Sequence, residues 1–265
     1  MRDRLRILML NLEYPPLGGG SAPVTRGLAR TLAARGHQVD VVTMGYRGLP
    51  REENLDGVRL FRVPGIRSRL ELSHVHELAT YVWSGLRKAR ALSRAVPYDL
   101  CHCHFILPTG IIPYCLRSAP GFPPYVITSH GSDVPGFNPD RFTLMHRMTP
   151  PLLRRILSQA AELVVPSNAL QQLIQRQFGD HTPPITQLAN GIELDRFTVR
   201  PKDPRILVAT RLFERKGVQH VIEALAGLPG RVGERFGWSA IASQYEAVYE
   251  AALQRRPFSL IVGEV

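Results

Sequence analysis

Hydrophobic and polar positions follow two alternating rhythms along this chain. The runs "LRILMLNL" (5–12) and "QVDVVTM" (38–44) are nearly continuous in apolar character, as in strands buried on both faces of a parallel sheet. Between them, "VTRGLARTLAAR" sets Val24, Leu28 and Leu32 at helical spacing. Ser21 offers a cap, Pro23 is tolerated in a first turn, and Gly36 ends the helix. These pieces form a βαβ unit, whose crossover is right-handed. Apolar runs recur at "GVRLFRV", "DLCHCHF", "YVITS" and "ELVVPS", and helical stretches at "ELATYVWSGLRKARALSRA" and "SNALQQLIQRQF", the latter capped by Ser167. The alternation predicts a doubly wound α/β domain with a Rossmann-like parallel sheet over residues 1–198.

Beyond it, "NGIELDRFTVRPKDP" reads as a connector, with a turn at Asn190 and Gly191 and two prolines near its end. "RILVAT" then predicts a new strand, and "KGVQHVIEALAGL" a helix with Val218, Val221, Ile222 and Leu225 on one face. A single βα unit cannot bury both faces of its strand, so it needs neighbours. Past Gly230 the pattern turns instead to an amphipathic helix, "GWSAIASQYEAVYEAAL", with Trp238, Ile241, Tyr245, Val248 and Tyr249 on a stripe. The expected organisation is therefore 1–198, a linker with one βα unit at 199–230, and a closing helix with its tail at 231–265.

Composition narrows the function classes. A chain of 265 residues with 44% hydrophobic and 21% charged residues is an ordinary globular protein. Its net charge of +11 favours an anionic partner: a phosphorylated substrate, an acidic membrane surface or nucleic acid. The basic residues lack the aromatic interleaving of a nucleic-acid motif, which argues against the last. Arg62, Arg67, Arg69, Arg87, Lys88, Arg90 and Arg94 gather around the helix at 77–95, where they read either as a solvated face or as a peripheral contact with an anionic membrane. Three cysteines and an N-terminus without a signal-peptide pattern point to free thiols in the cytoplasm. The longest apolar run, "FILPTGIIPYCL", is too short and too proline-broken to span a bilayer.

Several short motifs carry candidate chemistry. Gly18 to Gly20 sit between the first strand and its helix, where absent side chains let a phosphate or sugar approach backbone N–H groups. The spacing is not that of a dinucleotide fingerprint, and a structural turn is the competing reading. "CHCH" suggests a metal, but on a strand Cys101 and Cys103 face away from His102 and His104, so the four cannot close around one ion. No metal and no cofactor is expected, and His104 is assigned to the ligand crevice at the carboxyl end of its strand. In "TSHGSD", His130 is a strand-end histidine suited to touching substrate, with Asp133 beside it; a loop histidine with Asp133 as a turn cap is the plainer alternative. Arg211 and Lys216 flank a strand-to-helix turn and suit a diphosphate, unless they are two more surface cations.

Together these segments resemble glycosyltransferase family 4, the retaining enzymes of two-domain GT-B fold. "YPPLGGGSAPVTRGLARTLAARGHQVDVVTM", "CHCHFILPTG", "TSHGSD", "VVPSNAL", "NGIELDRF" and "VATRLFERKGVQHVIEALA" stand in the family's order. The resemblance implies an N-terminal acceptor domain and a second Rossmann-like domain holding a nucleotide-diphosphate sugar. It implies hexose transfer to a saccharide or lipid-linked acceptor, without a metal. By motif, Gly19 and Gly20 would lie near the donor phosphates or acceptor, and His130 would act in catalysis by contacting the transferred sugar. Arg211 and Lys216 would neutralise the leaving diphosphate. His104, Asp133 and Asn190 would line the acceptor side or the cleft. The family's paired glutamates, with seven residues between them, have no counterpart: no two glutamates here are eight positions apart. Residues 229–237 join the first helix of the donor domain almost directly to its last. The expectation is a truncated donor domain, weak or lost nucleotide-sugar binding and little or no transfer, the alternative being a non-catalytic acceptor-binding module.

Overall fold

A computed structural model describes residues 4–70, 75–137, 147–192, 207–208, 210 and 214–226. The chain separates into two compact units, 1–198 and 199–265. In the first, eight strands form one sheet: β1 (Arg6–Leu10), β2 (Gln38–Met44), β3 (Glu52–Leu55), β4 (Val58–Val63), β5 (Leu100–His104), β6 (Tyr125–Thr128), β7 (Glu162–Val165) and β8 (Ile185–Gln187). Their order is β3-β4-β2-β1-β5-β6-β7-β8, and every pairing is parallel except β3 with β4. The expected doubly wound α/β sheet is present, with an antiparallel edge added to it.

That edge has a sequence signal that hydrophobicity does not register. "EENL" is too polar to read as a strand, but Asp56-Gly57 behind it is a strong hairpin turn, and both residues take positive φ, +54° and +79°. The turn therefore fixes a strand that the apolar pattern misses. β8 is short, and two helices besides the one after β1 carry prolines: α3 (Ile111–Leu116) contains Pro113, and α4 (Pro150–Leu157) opens on a proline pair in its first turn. Proline there costs little because those N–H groups have no helical partner.

Crossover handedness sorts the helices. α1 (Ser21–Ala34) links β1 to β2 in one direction across the sheet, whereas α2 (Val75–Ala95), α3, α4 and α5 (Asn168–Phe178) make their crossovers in the other. Right-handed connections then place α1 on one face and the rest on the opposite face. The core divides accordingly. Ile7, Met9, Val39, Val41 and Ala29 pack in one cluster, while Leu8, Leu10, Cys101, Cys103, Leu153 and Ile174 pack in the other.

Two local expectations change. Ser21 is not the cap of α1: Gly20 occupies that position, and Ser21 is the first helical residue. The buried stripe of α1 is Ser21, Ala22, Thr25 and Ala29, with Leu28 at 36% exposure. Small residues let the helix lie close to β2, which the Val24–Leu28–Leu32 spacing does not reveal. Ser167 does cap α5, accepting from Leu170 N–H at 3.3 Å. In the second unit, a 3-10 turn at Glu214–Lys216 leads into α6 (Val218–Ala226). Of "RILVAT", Leu207, Val208 and Thr210 are described; all three are exposed and outside any strand. The junction at 229–237 and the helix around Trp238 lie outside the described residues.

Candidate functional site

The carboxyl ends of neighbouring strands β1, β5 and β6 meet along one edge of the sheet, where open α/β sheets receive ligands. The loop after β1 is organised by two polar residues. Asn11, fully buried, donates from Nδ2 to Thr25 Oγ1 at 2.6 Å and to Ser21 Oγ at 3.3 Å, and its Oδ1 accepts from Glu13 N–H at 3.1 Å. Glu13 folds back so that Oε2 accepts from Gly19 N–H at 3.0 Å and from Ser21 Oγ at 2.7 Å. Its stem lies against Gly18, where φ is +102° and an added Cβ would stand 2.5 Å from Glu13 Cβ. Glycine is required there twice over, by conformation and by contact. The Gly19 amide is thus already matched to a carboxylate of the chain. Gly20, with nothing within 4 Å of its absent Cβ, is the open point of the loop. Motif order passes over Glu13, although a carboxylate six residues before Gly19 can reach that residue's amide.

Three histidines form a column on the face opposite Cys101 and Cys103. His102 and His104, two apart on β5, stack with centroids 4.7 Å apart, and His104 stacks on His130 at 5.2 Å. His102 Nε2 lies 2.8 Å from Thr128 Oγ1, and His104 Nδ1 lies 3.0 Å from His130 Nε2. His104 is completely buried, and its Nε2 has no partner among the described residues. His130 is half-buried, with the Phe105 ring tilted against it at 4.8 Å. Burial holds the His102 and His130 imidazoles down to about 4 and that of His104 well below its ordinary range. The column is therefore uncharged at neutral pH.

Asp133 anchors the two loops beneath His130. It is 2% exposed, and its carboxylate accepts from Ile106 N–H at 2.6 Å and from Ser129 Oγ at 2.9 Å. Burial pushes its carboxyl up, toward the neutral form, while those two donors pull the other way. Two backbone positions here are constrained. Phe105 leaves β5 with φ +75°, and Gly131 has φ +90° with the Phe137 ring where a Cβ would be. Left-handed backbone at a non-glycine residue beside a strand end is typical of sites held by their surroundings.

The remaining sequence-derived residues lie apart from this edge or outside it. Asn190 is exposed on the segment after β8. Lys216 is exposed at the end of the 3-10 turn before α6, with Gly217 at φ +68°. Arg211 lies outside the described residues. Cys101 and Cys103 are buried, burial pushes both thiols up, and Cys115 is exposed. Among the described residues no group of three His, Cys, Asp or Glu is placed to hold a metal ion.

A groove of about 1140 Å³ opens between α2 and the β3–β4 edge. Phe61, Ile66 and Trp83 give it apolar walls and Arg51 and Arg87 a cationic rim, while Lys88 lies over the Phe61 ring and pairs with Glu52 at 2.5 Å. Trp83 is 68% exposed. Arg62 and Arg67 do not belong to that cationic surface: both are buried, Arg62 paired with Glu53 at 2.5 Å and Arg67 donating to the carbonyls of Arg69 and Leu70. No described helix is long and apolar enough to cross a membrane.

Residues 18–196 match the family model described as Glycosyltransferase Family 4. A glycosyltransferase of uncharacterised specificity from Methanocaldococcus jannaschii is 28% identical over 245 residues, covering 83% of this chain and 59% of its own length. The 2-deoxystreptamine glucosyltransferase of Streptomyces kanamyceticus is 27% identical over 252 residues, covering 89% of this chain and 61% of its own. The chain thus spans about three-fifths of the length of these relatives. Among solved structures, sucrose-phosphate synthase from Thermosynechococcus elongatus superposes with a TM-score of 0.64 at 20% identity, over 85% of this chain and 60% of that one. At that identity the likeness concerns the fold.

Proposed function

The chain belongs to glycosyltransferase family 4, and from that premise we propose that its described residues form the acceptor side of a retaining hexosyltransferase. The observation that carries this reading is His130, neutral and half-exposed at the carboxyl end of β6, next in the sheet to the strand whose neighbour carries the Glu13-ordered glycine loop. A neutral imidazole and a carboxylate with one oxygen left for a ligand are suited to sugar hydroxyls, which donate and accept in turn. Gly20 leaves room for such a ligand, His104 and Asp133 hold His130 in place, and Asn190 belongs to the outer wall of the acceptor site. Lys216, with Arg211, would neutralise the diphosphate of a nucleotide sugar as its glycosidic bond breaks. The relatives' names support glucosyl or related hexosyl transfer to a polyhydroxylated acceptor.

Transfer also requires a donor pocket, and the paired glutamates expected in one are missing from this sequence. Saccharide binding without efficient nucleotide-sugar turnover is the behaviour expected of these residues. Calorimetry of the full chain with 2-deoxystreptamine, UDP-glucose and GDP-mannose, alongside a coupled assay of nucleotide release, tests this. Saturable binding of the aminocyclitol without nucleotide-sugar turnover is expected. Turnover that Lys216→Ala abolishes would show a working donor site and refute the inactive reading.

The groove beside α2 favours one addition, a peripheral contact with an anionic bilayer. An exposed indole with cations around an apolar trough matches the headgroup boundary of a membrane. Flotation with phosphatidylglycerol vesicles should carry the protein at low salt and fail for Trp83→Ala/Arg87→Ala. Equal flotation with neutral phosphatidylcholine vesicles would remove the electrostatic part of the argument.

A further inference from the structure

We propose that His104 fixes the proton of His130 on Nδ1, making His130 a dedicated hydrogen-bond donor rather than an acid or base. The donor role toward sugar rests on the functional reading above; the proton placement rests on geometry alone.

A bond between two neutral imidazoles needs one N–H and one lone pair, so the 3.0 Å contact between His104 Nδ1 and His130 Nε2 allows two arrangements. If His130 Nε2–H donates, His104 must carry its own proton on Nε2. That atom is buried and has no acceptor among the described residues. The arrangement would leave an orphaned N–H in the interior, which folded proteins rarely tolerate. If His104 Nδ1–H donates instead, its Nε2 is a bare lone pair, the lesser loss. His130 then accepts at Nε2 and keeps its proton on Nδ1, opposite to the preference of an unconstrained imidazole.

The surroundings reinforce this choice. His104 is fully buried and stacked on two rings, that of His102 at 4.7 Å and that of His130 at 5.2 Å. His130 is wedged against Phe105, while Asp133 holds the ends of both loops. His130 Nδ1 makes no hydrogen bond among the described residues and is not a buried orphan, and the residue is only half-buried. A donor aimed outward in one fixed tautomer selects an oxygen acceptor on the ligand, such as a hydroxyl oxygen of a hexose. His104, sealed from the ligand, is a positioning residue.

Long-range nitrogen–proton correlation spectra of the full chain, labelled with nitrogen-15 and recorded at pH 7.5, read the tautomer directly. The expected spectrum shows His130 protonated on Nδ1 and His104 protonated on Nδ1. His104→Leu removes the donor and should shift His130 to the Nε2–H form. His104→Asn places an amide N–H near the same point and should keep His130 on Nδ1–H. A backbone spectrum with unchanged dispersion confirms that each variant is folded. Should His104→Leu fail to fold, the wild-type spectrum and His104→Asn still decide. An Nε2-protonated, averaging or charged His130 in the wild type overturns the proposal, as does an unchanged His130 tautomer in folded His104→Leu. Titration with D-glucose separates the functional reading. It should shift the His130 signals, about tenfold more weakly in His104→Leu, the worth of one hydrogen bond. No glucose response with the expected tautomer refutes the sugar role and leaves the proton placement standing.

Discussion

Asp133→Ala is expected to destabilise the first unit by about 3 kcal/mol, read as a lower urea midpoint at unchanged slope. The carboxylate is 2% exposed and accepts from Ile106 N–H and Ser129 Oγ. Truncation leaves Ile106 N–H, itself in a fully buried residue, without an acceptor, and opens a small void between the β5 and β6 loops. Asp133→Asn should cost less, because its carbonyl oxygen still receives one of the two donors. The loss should reach His130 as well, since Ser129 and Asp133 bracket it. An alanine variant within 0.5 kcal/mol of the wild type, a margin of about the size seen at ordinary surface sites, would mean that the clasp contributes nothing.

Acidification should produce the second large effect. The imidazoles of His102 and His130 are held down to about 4, and that of His104 lower still, chiefly by burial. In the unfolded chain each titrates near 6.5. Between about pH 6.5 and 4 the unfolded state therefore binds more protons than the native one, and stability falls as pH falls. Each ring contributes up to about 1.4 kcal/mol per pH unit in that window. The exposed edges of His102 and His130 reduce this, leaving an expected loss of a few kcal/mol by pH 4.5. The column's polar neighbours are Thr128, Ser129 and Asp133. Asp133, raised by burial, binds a proton more readily when folded, so it opposes the trend below its own folded value. Three rings against one carboxyl leave the sign unchanged. Urea midpoints measured at half-unit intervals from pH 7.5 to 4.5 should fall steeply below 6.5, and His130→Gln should flatten the curve. A wild-type midpoint constant from pH 7 to 5 would contradict the buried neutral column.

Most of the sheet was legible because a strand covered on both faces must be apolar throughout. β2 has the bounds its hydrophobic run predicts, and β1, β4, β5, β6 and β7 lie within theirs. β3 escaped because an edge strand of "EENL" buries little; its information resides in the Asp56-Gly57 turn. α1 was located correctly while its inward face was misjudged, since close packing on the sheet at β2 selects Ala22, Thr25 and Ala29 over the larger residues beside them. The site divides in the same way. Motif order singled out His104, His130 and Asp133, whereas Glu13 and His102 became visible only as contacts.

Spacing along the strand by itself determined that the cysteines of "CHCH" and its histidines point apart, because side chains on a strand alternate between faces. Six motifs in order carried the resemblance to family 4, and the family model matched over residues 18–196 shows that membership. The tertiary structure decided what those residues do to one another. His104 meets His130 from 26 positions away, Asp133 reaches Ile106 from 27, and Glu13 fills the amide of Gly19. Such pairings depend on parallel register and on loops closing over the sheet edge. Two neighbouring strands can be slid by a residue without altering either one's composition, so their partners are fixed only when the whole sheet packs.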